Sequence, residues 1–239
     1  MTRPDAGLAA AFEATWPSAE TCRCGGLQVG RGLGAGGRVS SALAVAPWDR
    51  DDLDAAEARH AAWGQAPLFR AWDDDSALTD ALIGRGYHIQ NPTLVMIAPV
   101  ATLTDRPLPP VTAFSVWPPL AIQRQIWAAG SIAQARQAVM ERVAQPKAAL
   151  LGRIRDRAAG AGFVACHQDV AMVHAIEVLP PFRRQGLAGW MIRQAAFWAA
   201  GHGATRMGLA VSRANSGAVA TYASLGFAVA GSYAYYARP

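Results

Sequence analysis

The chain has 239 residues, 52% of them hydrophobic and 16% charged, with a formal net charge of +5. That is enough apolar material for one large domain or two small ones. It excludes a membrane-spanning helix, because no stretch approaches the ~20 consecutive apolar residues a span needs. It also excludes a disulfide framework, because Cys22, Cys24 and Cys166 are odd in number and irregular in spacing.

Almost all the positive charge is arginine, with Lys147 the only lysine, and it is scattered rather than gathered into runs. A nucleic-acid partner therefore has no support in the pattern. No metal is expected: "CRC" offers two thiols with no third ligand nearby. The N-terminal stretch carries Asp5 and Glu13 and lacks the apolar run of a signal peptide, so a cytoplasmic protein is the expectation.

In chain order, "LQVGRG" and "RVSSALAV" read as short strands around the glycine-rich "GLGAGG" at 32–37. "DLDAAEARHAAWG" has helical spacing and a terminal glycine. "PLFRAW" reads as a strand, "DSALTDALIGRGY" as a helix, and "TLVMIAP" as a strand. Three prolines in "TLTDRPLPPV" then mark a linker, dividing a unit at 1–105 from one at 111–239.

The second unit opens with the strand "VTAFSVW", followed by one or two helices over "PPLAIQRQIWAAGSIAQARQAVMERVAQP". Three strands follow, "KAALLGRIRD", "AGAGFVACHQ" and "VAMVHAIEVL", with turns at Asp156-Arg157 and Asp169. A helix from Gly186 to about His202 places Leu187, Met191, Ala195 and Trp198 on one face. "ATRMGLAVS" is a strand, "NSGAVATYASLGF" a helix, and "AVAGSYAYYAR" a closing strand or hairpin. The order is α+β, with a mainly antiparallel sheet flanked by helices and a smaller α/β lobe before it.

"GLGAGG" satisfies G-x-G-x-x-G literally, but the β-type run after it argues for a hairpin tip rather than a dinucleotide site. The informative stretch is "EVLPPFRRQGLAGWM". Pro180 and Pro181 cannot supply ladder N–H groups, so the strand ending near Val178 should part from its neighbour. The helix start beyond it has free N–H groups and the positive end of the helix dipole. Gly186 and Ala188 leave room for a ligand, and Arg183 and Arg184 add charge. Together they form a pyrophosphate-sized cradle, and the parted strand edge suits an extended amide arm. A pyrophosphate joined to such an arm describes coenzyme A.

On these residues the chain resembles the GCN5-related N-acetyltransferases (GNAT). "VHAIEVLPPFRRQGLAGWMIRQA" resembles the family's motif A, Arg/Gln-x-x-Gly-x-Gly/Ala, at Arg183, Gly186 and Ala188. "NSGAVATYASLGF" resembles motif B, at Asn215, Ala218, Tyr222 and Leu225-Gly226-Phe227. The resemblance implies an acetyl-CoA-dependent N-acetyltransferase acting on a primary amine in a ternary complex. It implies that the backbone at Glu177 and Val178 pairs with the pantetheine arm. It further implies that Arg183, Arg184, Gln185, Gly186, Leu187, Ala188 and Gly189 hold the pyrophosphate, that Asn215 meets the arm from the far side, and that Tyr222 is the general acid to the departing thiolate.

For the base, two candidates stand: His174, suited to proton transfer near neutral pH, and Glu177, a carboxylate in an apolar strand. Strict alternation puts the two on opposite faces, and a bulge would change that. The first half is similar to the N-terminal half of two-lobed acetyltransferases, a degenerate copy of the fold. It has neither motif, so it is expected to bind no coenzyme and to shape the acceptor site. A non-catalytic acyl-CoA sensor on the same fold is the rival reading. The sequence fixes neither the acceptor nor the oligomeric state.

Overall fold

A computed structural model describes residues 3–238. Polar caps set several helix starts. The Asp5 carboxylate accepts the Leu8 N–H at the start of α1 (Ala6–Ala14). Strands β1 (Glu20–Cys24) and β2 (Leu27–Arg31) follow, then a single turn α2 (Gly37–Ser40) and β3 (Ala42–Ala44). Asp49 and Asp52 form a reciprocal capping box at α3 (Arg50–Ala62). After β4 (Leu68–Trp72), Asp75 caps α4 (Ser76–Gly84) through the Leu78 N–H. The long β5 (His88–Pro99) and short α5 (Val100–Leu103) lead to the proline-rich connection.

The second half contains β6 (Ala113–Val116), α6 (Ala121–Ala129), α7 (Gln134–Arg142), β7 (Lys147–Ile154), β8 (Arg157–His167) and β9 (Val170–Val178). A 3₁₀ turn at Pro180–Phe182 precedes α8 (Leu187–Ala200), β10 (Arg206–Ser212), α9 (Ser216–Ser224) and β11 (Ala228–Ala237). The eleven strands make one sheet in the order β1-β2-β3-β4-β11-β5-β10-β9-β8-β7-β6. Most pairs are antiparallel; β3–β4 and β9–β10 are parallel.

The sheet contains an internal repeat that the sequence does not display. The run β3-α3-β4-α4-β5 has the order and pairing sense of β9-α8-β10-α9-β11. Each half sends its last strand into the other: β5 pairs with β10, β11 pairs with β4, and the two pair with each other. The ends of α4 and α9 match in detail. Gly86 and Gly226 both take positive φ, 81° and 92°, and the next residues, Tyr87 and Phe227, donate back to the carbonyls of Leu82 and Tyr222. Leu82 therefore stands in the first half where Tyr222 stands in the second.

Three local readings differ from the sequence expectation. Residues 37–40 form a helical turn rather than strand, because Gly36, at φ 100°, redirects the chain after the glycine run. The turn after β7 is made by Arg155 and Asp156, both at positive φ, one position earlier than the residue pattern suggested. Helix α1 and strand β1 were not anticipated, since their alanine-rich and Cys-Arg-Cys stretches lack a clear period. Helix α8 packs Leu187, Met191, Ala195 and Ala199 onto one face of the sheet. Helices α6 and α7 cover the other face with Ile126, Trp127, Val139 and Met140. Among the described residues, no helix is long and apolar enough to cross a membrane.

Candidate active site

Parallel pairing of β9 with β10 runs from Val170/Arg206 to Val173/Leu209 and stops there. Beyond that point β10 stays paired with β5 through Ser212, while β9 stays with β8, so the sheet opens in a V. The Leu179 N–H donates to Ala159 O at 2.9 Å. The antiparallel ladder therefore turns the N–H and C=O of Val178 away from β8 and into the V. Consistent with this, Val178 O accepts from Arg183 Nε at 2.8 Å.

The bulge is present. Phe163 pairs with His174 and Ala161 with Glu177, so β9 uses three positions where β8 uses two. That extra residue brings His174 and Glu177 to one face of the sheet, the face covered by α6. Ala175 takes φ 53° at the bulge, a conformation that costs a non-glycine residue about 1–2 kcal/mol. The buried Trp127 offsets this by donating its indole N–H to Ala175 O at 2.9 Å.

The cradle follows the 3₁₀ turn. Gly186 sits in the left-handed region at φ 78°, no side chain caps α8, and a Cβ at Gly186 would meet nothing within 4 Å. Arg184 is also left-handed, at φ 63°. Arg183, Arg184 and Ala188 line a groove of about 660 Å³ with Val178 on one wall and Asn215, Gly217 and Tyr222 on the other. Arg183 lies across it, bonded to Val178 O and to Glu177 Oε1 at 3.0 Å. Gln185 folds back to Pro181 O, the Leu187 side chain is buried in the core, and Gly189 faces Leu225. None of these three lines the groove.

Asn215 caps α9 through Ala218 N–H at 3.1 Å and lines the V opposite Val178. One turn on, Tyr222 packs against the core with its ring 6.0 Å from Phe227. Burial pushes its phenol up to about 12, so it keeps its proton at any ordinary pH. Its hydroxyl has no hydrogen-bond partner among the described residues.

A second cavity, about 500 Å³, meets this groove at Ile176, Glu177, Asn215, Ala218 and Tyr222. Its walls include Trp16, Arg38, Arg136 and Tyr235, three of them from outside the motifs' half or from the exchanged strand. His174 lies in this wall, with both ring nitrogens engaged. Thr15 spends its hydroxyl hydrogen on Ala11 O at 2.6 Å, so His174 Nε2 donates to Thr15 Oγ1 at 2.9 Å. Arg38 Nη1 donates to Nδ1 at 3.3 Å. Burial, and then the Arg38 charge, hold the imidazole well below its ordinary pKa, so it is neutral. The Glu177 carboxylate points toward Gly130, where an added Cβ would come within 2.5 Å of Oε2.

Sequence reasoning missed Trp16, Arg38, Trp127, Gly130 and Arg136. The available signal was the dismissed glycine run: residues 35–37 bring Arg38 to the cavity. The equivalent helix start in the first half is closed to a phosphate. There the Asp49 carboxylate takes the N–H groups of Asp51 and Asp52, and three acids crowd one turn. Among the described residues no group of three or more His, Cys, Asp or Glu is placed to hold a metal.

A mixed sheet parted at a parallel pair, with a glycine-started helix beneath the opening, defines a GNAT-type acyltransferase fold, here in two lobes. The Acetyltransferase (GNAT) family profile matches residues 118–227, so this part of the chain is a GNAT domain. A GCN5-related N-acetyltransferase from Kribbella flavida superposes with a TM-score of 0.70 at 21% identity, covering 98% of this chain and 91% of that one. A tandem GNAT protein from the clavulanic acid biosynthesis pathway gives 0.67 at 14%, covering 98% and 89%. A functionally unknown conserved protein from Staphylococcus epidermidis gives 0.65 at 12%, covering 85% and 86%. At these identities the likeness establishes the fold. No curated protein sequence matches the chain.

Proposed function

We propose that the protein is an acetyl-CoA-dependent N-acetyltransferase whose coenzyme lies in the V between Val178 and Asn215, with the amine entering from the 500 Å³ cavity. The observation that carries this is the meeting of the two cavities at Glu177 and Tyr222. A donor in one and an acceptor in the other would face each other there. The residues suit the coenzyme: a helix start with no side-chain cap, a glycine with open space before it, and two arginines. Acetyl-CoA, when bound, supplies an activated thioester.

In this reading the Val178 N–H donates to the thioester oxygen as charge develops. The Tyr222 hydroxyl, with no protein partner, donates to the departing sulfur. Glu177 takes the amine proton, directly or through water, once Arg183 moves to the phosphates. His174 is a positioning residue: its two nitrogens hold Thr15 and Arg38, which leaves no lone pair for the amine. The 1–105 lobe supplies acceptor-cavity wall and no second coenzyme site; the coenzyme residues all fall in 111–239. The test is thiol release from acetyl-CoA across a panel of primary amines. The reading predicts amine-dependent release. Coenzyme binding with no turnover on any amine would favour a sensor instead.

A further inference from the structure

We propose that the acceptor is a small amine that carries a carboxylate, an amino acid or a close relative, held by Arg38 and Arg136. This rests on the functional reading above and names its substrate class. The acceptor cavity is lined by two guanidinium groups, Arg38 and Arg136, and by one carboxylate, Glu177. Among the described residues neither arginine is paired with an acid. Arg38 donates to Phe12 O and to His174 Nδ1 and stacks 3.6 Å above the Phe12 ring, and its Nε is buried without a partner. The nearest acid whose charge it feels is Glu13, which is already bound to Arg70. Arg136 makes one hydrogen bond, to Ser131 O at 3.3 Å, and its Nε too is buried and unpartnered. Arg136 sits in the first turn of α7, whose start has no side-chain cap and no acid. Glu177, the one acid, is engaged by Arg183.

The wall is therefore cationic on balance. A bare polyamine would bring like charge to it. An amine with its own carboxylate would complete it, because a buried charge without a partner is costly and a guanidinium fork matches a carboxylate. Glu177 remains to meet the ammonium end. A cavity of about 500 Å³ is the size of a small-molecule site, which favours a free amino acid over a folded protein's terminus.

The test is calorimetric titration of the common α-amino acids, β-alanine and γ-aminobutyrate, each beside its carboxamide. The titrations use the full-length protein, with and without coenzyme A, and acetyl-CoA thiol release is followed on the same panel. At least one acid should bind, with its carboxamide weaker by roughly 10- to 100-fold, the value of charge-assisted hydrogen bonds. Arg136→Gln and Arg38→Gln should each remove most of that preference through KM and leave acetyl-CoA affinity intact. Arg136→Gln keeps the test decisive if loss of the Arg38–Phe12 contact unfolds the chain. Carboxamides binding as well as acids, no acid binding at all, or a preference that survives both variants would overturn the proposal. Acid-over-amide preference in the coenzyme-free protein would uphold it even if acetyl-CoA failed to bind, so the two readings fail separately.

Discussion

Replacing Tyr222 with phenylalanine removes one hydroxyl and preserves the ring that packs beside Phe227. Because burial raises the phenol to about 12, and an ordinary thiol titrates near 8.5, full proton transfer to a thiolate is uphill by roughly 4–5 kcal/mol. Complete transfer before the sulfur departs is therefore disfavoured. The useful contribution is a hydrogen bond that strengthens as negative charge gathers on sulfur. Such a bond to a charged partner is worth about 1.5–3 kcal/mol, or roughly 10- to 150-fold in rate. Tyr222→Phe should thus lower kcat by about 10²-fold, with acetyl-CoA affinity held within about twofold. Stopped-flow thiol release and calorimetry measure the two separately. A variant with unchanged kcat would refute the role, and one that lost coenzyme binding in parallel would assign Tyr222 to packing.

Gly186→Glu should abolish measurable acetyl-CoA binding by calorimetry, since its side chain would stand in the open cradle as an anion facing phosphate. Gly186→Ala bears only the φ 78° strain and should cost about 1 kcal/mol of stability. Gly130→Ala places a methyl within 2.5 Å of Glu177 Oε2; kcat should fall about tenfold or more while coenzyme affinity holds, and equal kcat would remove Glu177 as the base. His174 adds a pH dependence of definite sign. Its folded pKa lies below the ordinary value, so the unfolded chain takes up the proton first as pH falls. Stability therefore drops below pH about 6.5, by up to about 1.4 kcal/mol per unit, and is unaffected above it. His174→Gln should flatten that fall in urea denaturation series between pH about 5 and 7.5. Parallel wild-type and variant curves would show that His174 is not buried neutral.

The second half of the fold was legible because its signals are local. Glycine and proline punctuate it, Asn215 caps a helix, and β7 to β9 alternate or run apolar between turns. The groove beside Val178 was readable for the same reason: Arg183, Arg184 and Ala188, which line it, fall in one short stretch. The 500 Å³ cavity was not. Trp16, Arg38 and Arg136 lie in three separate segments, and only the folded sheet brings them together. The bulge at Ala175 was legible as a possibility but not as a fact, because its stabilising partner, Trp127, is 48 residues away. The strand exchange was equally hidden. Residues 93–99 read as an ordinary strand and 228–238 as a closing strand or hairpin, and nothing in their composition says that each completes the opposite half.

The most direct test of the account is a crystal structure of the complex with acetyl-CoA. The account predicts the pyrophosphate over the N-terminus of α8, the thioester oxygen within hydrogen-bond distance of Val178 N–H, and the sulfur beside the Tyr222 hydroxyl. It also predicts Arg183 released from Val178 O and Glu177. Coenzyme bound at the Asp49 helix start, or a V still crossed by Arg183 at saturating acetyl-CoA, would contradict it.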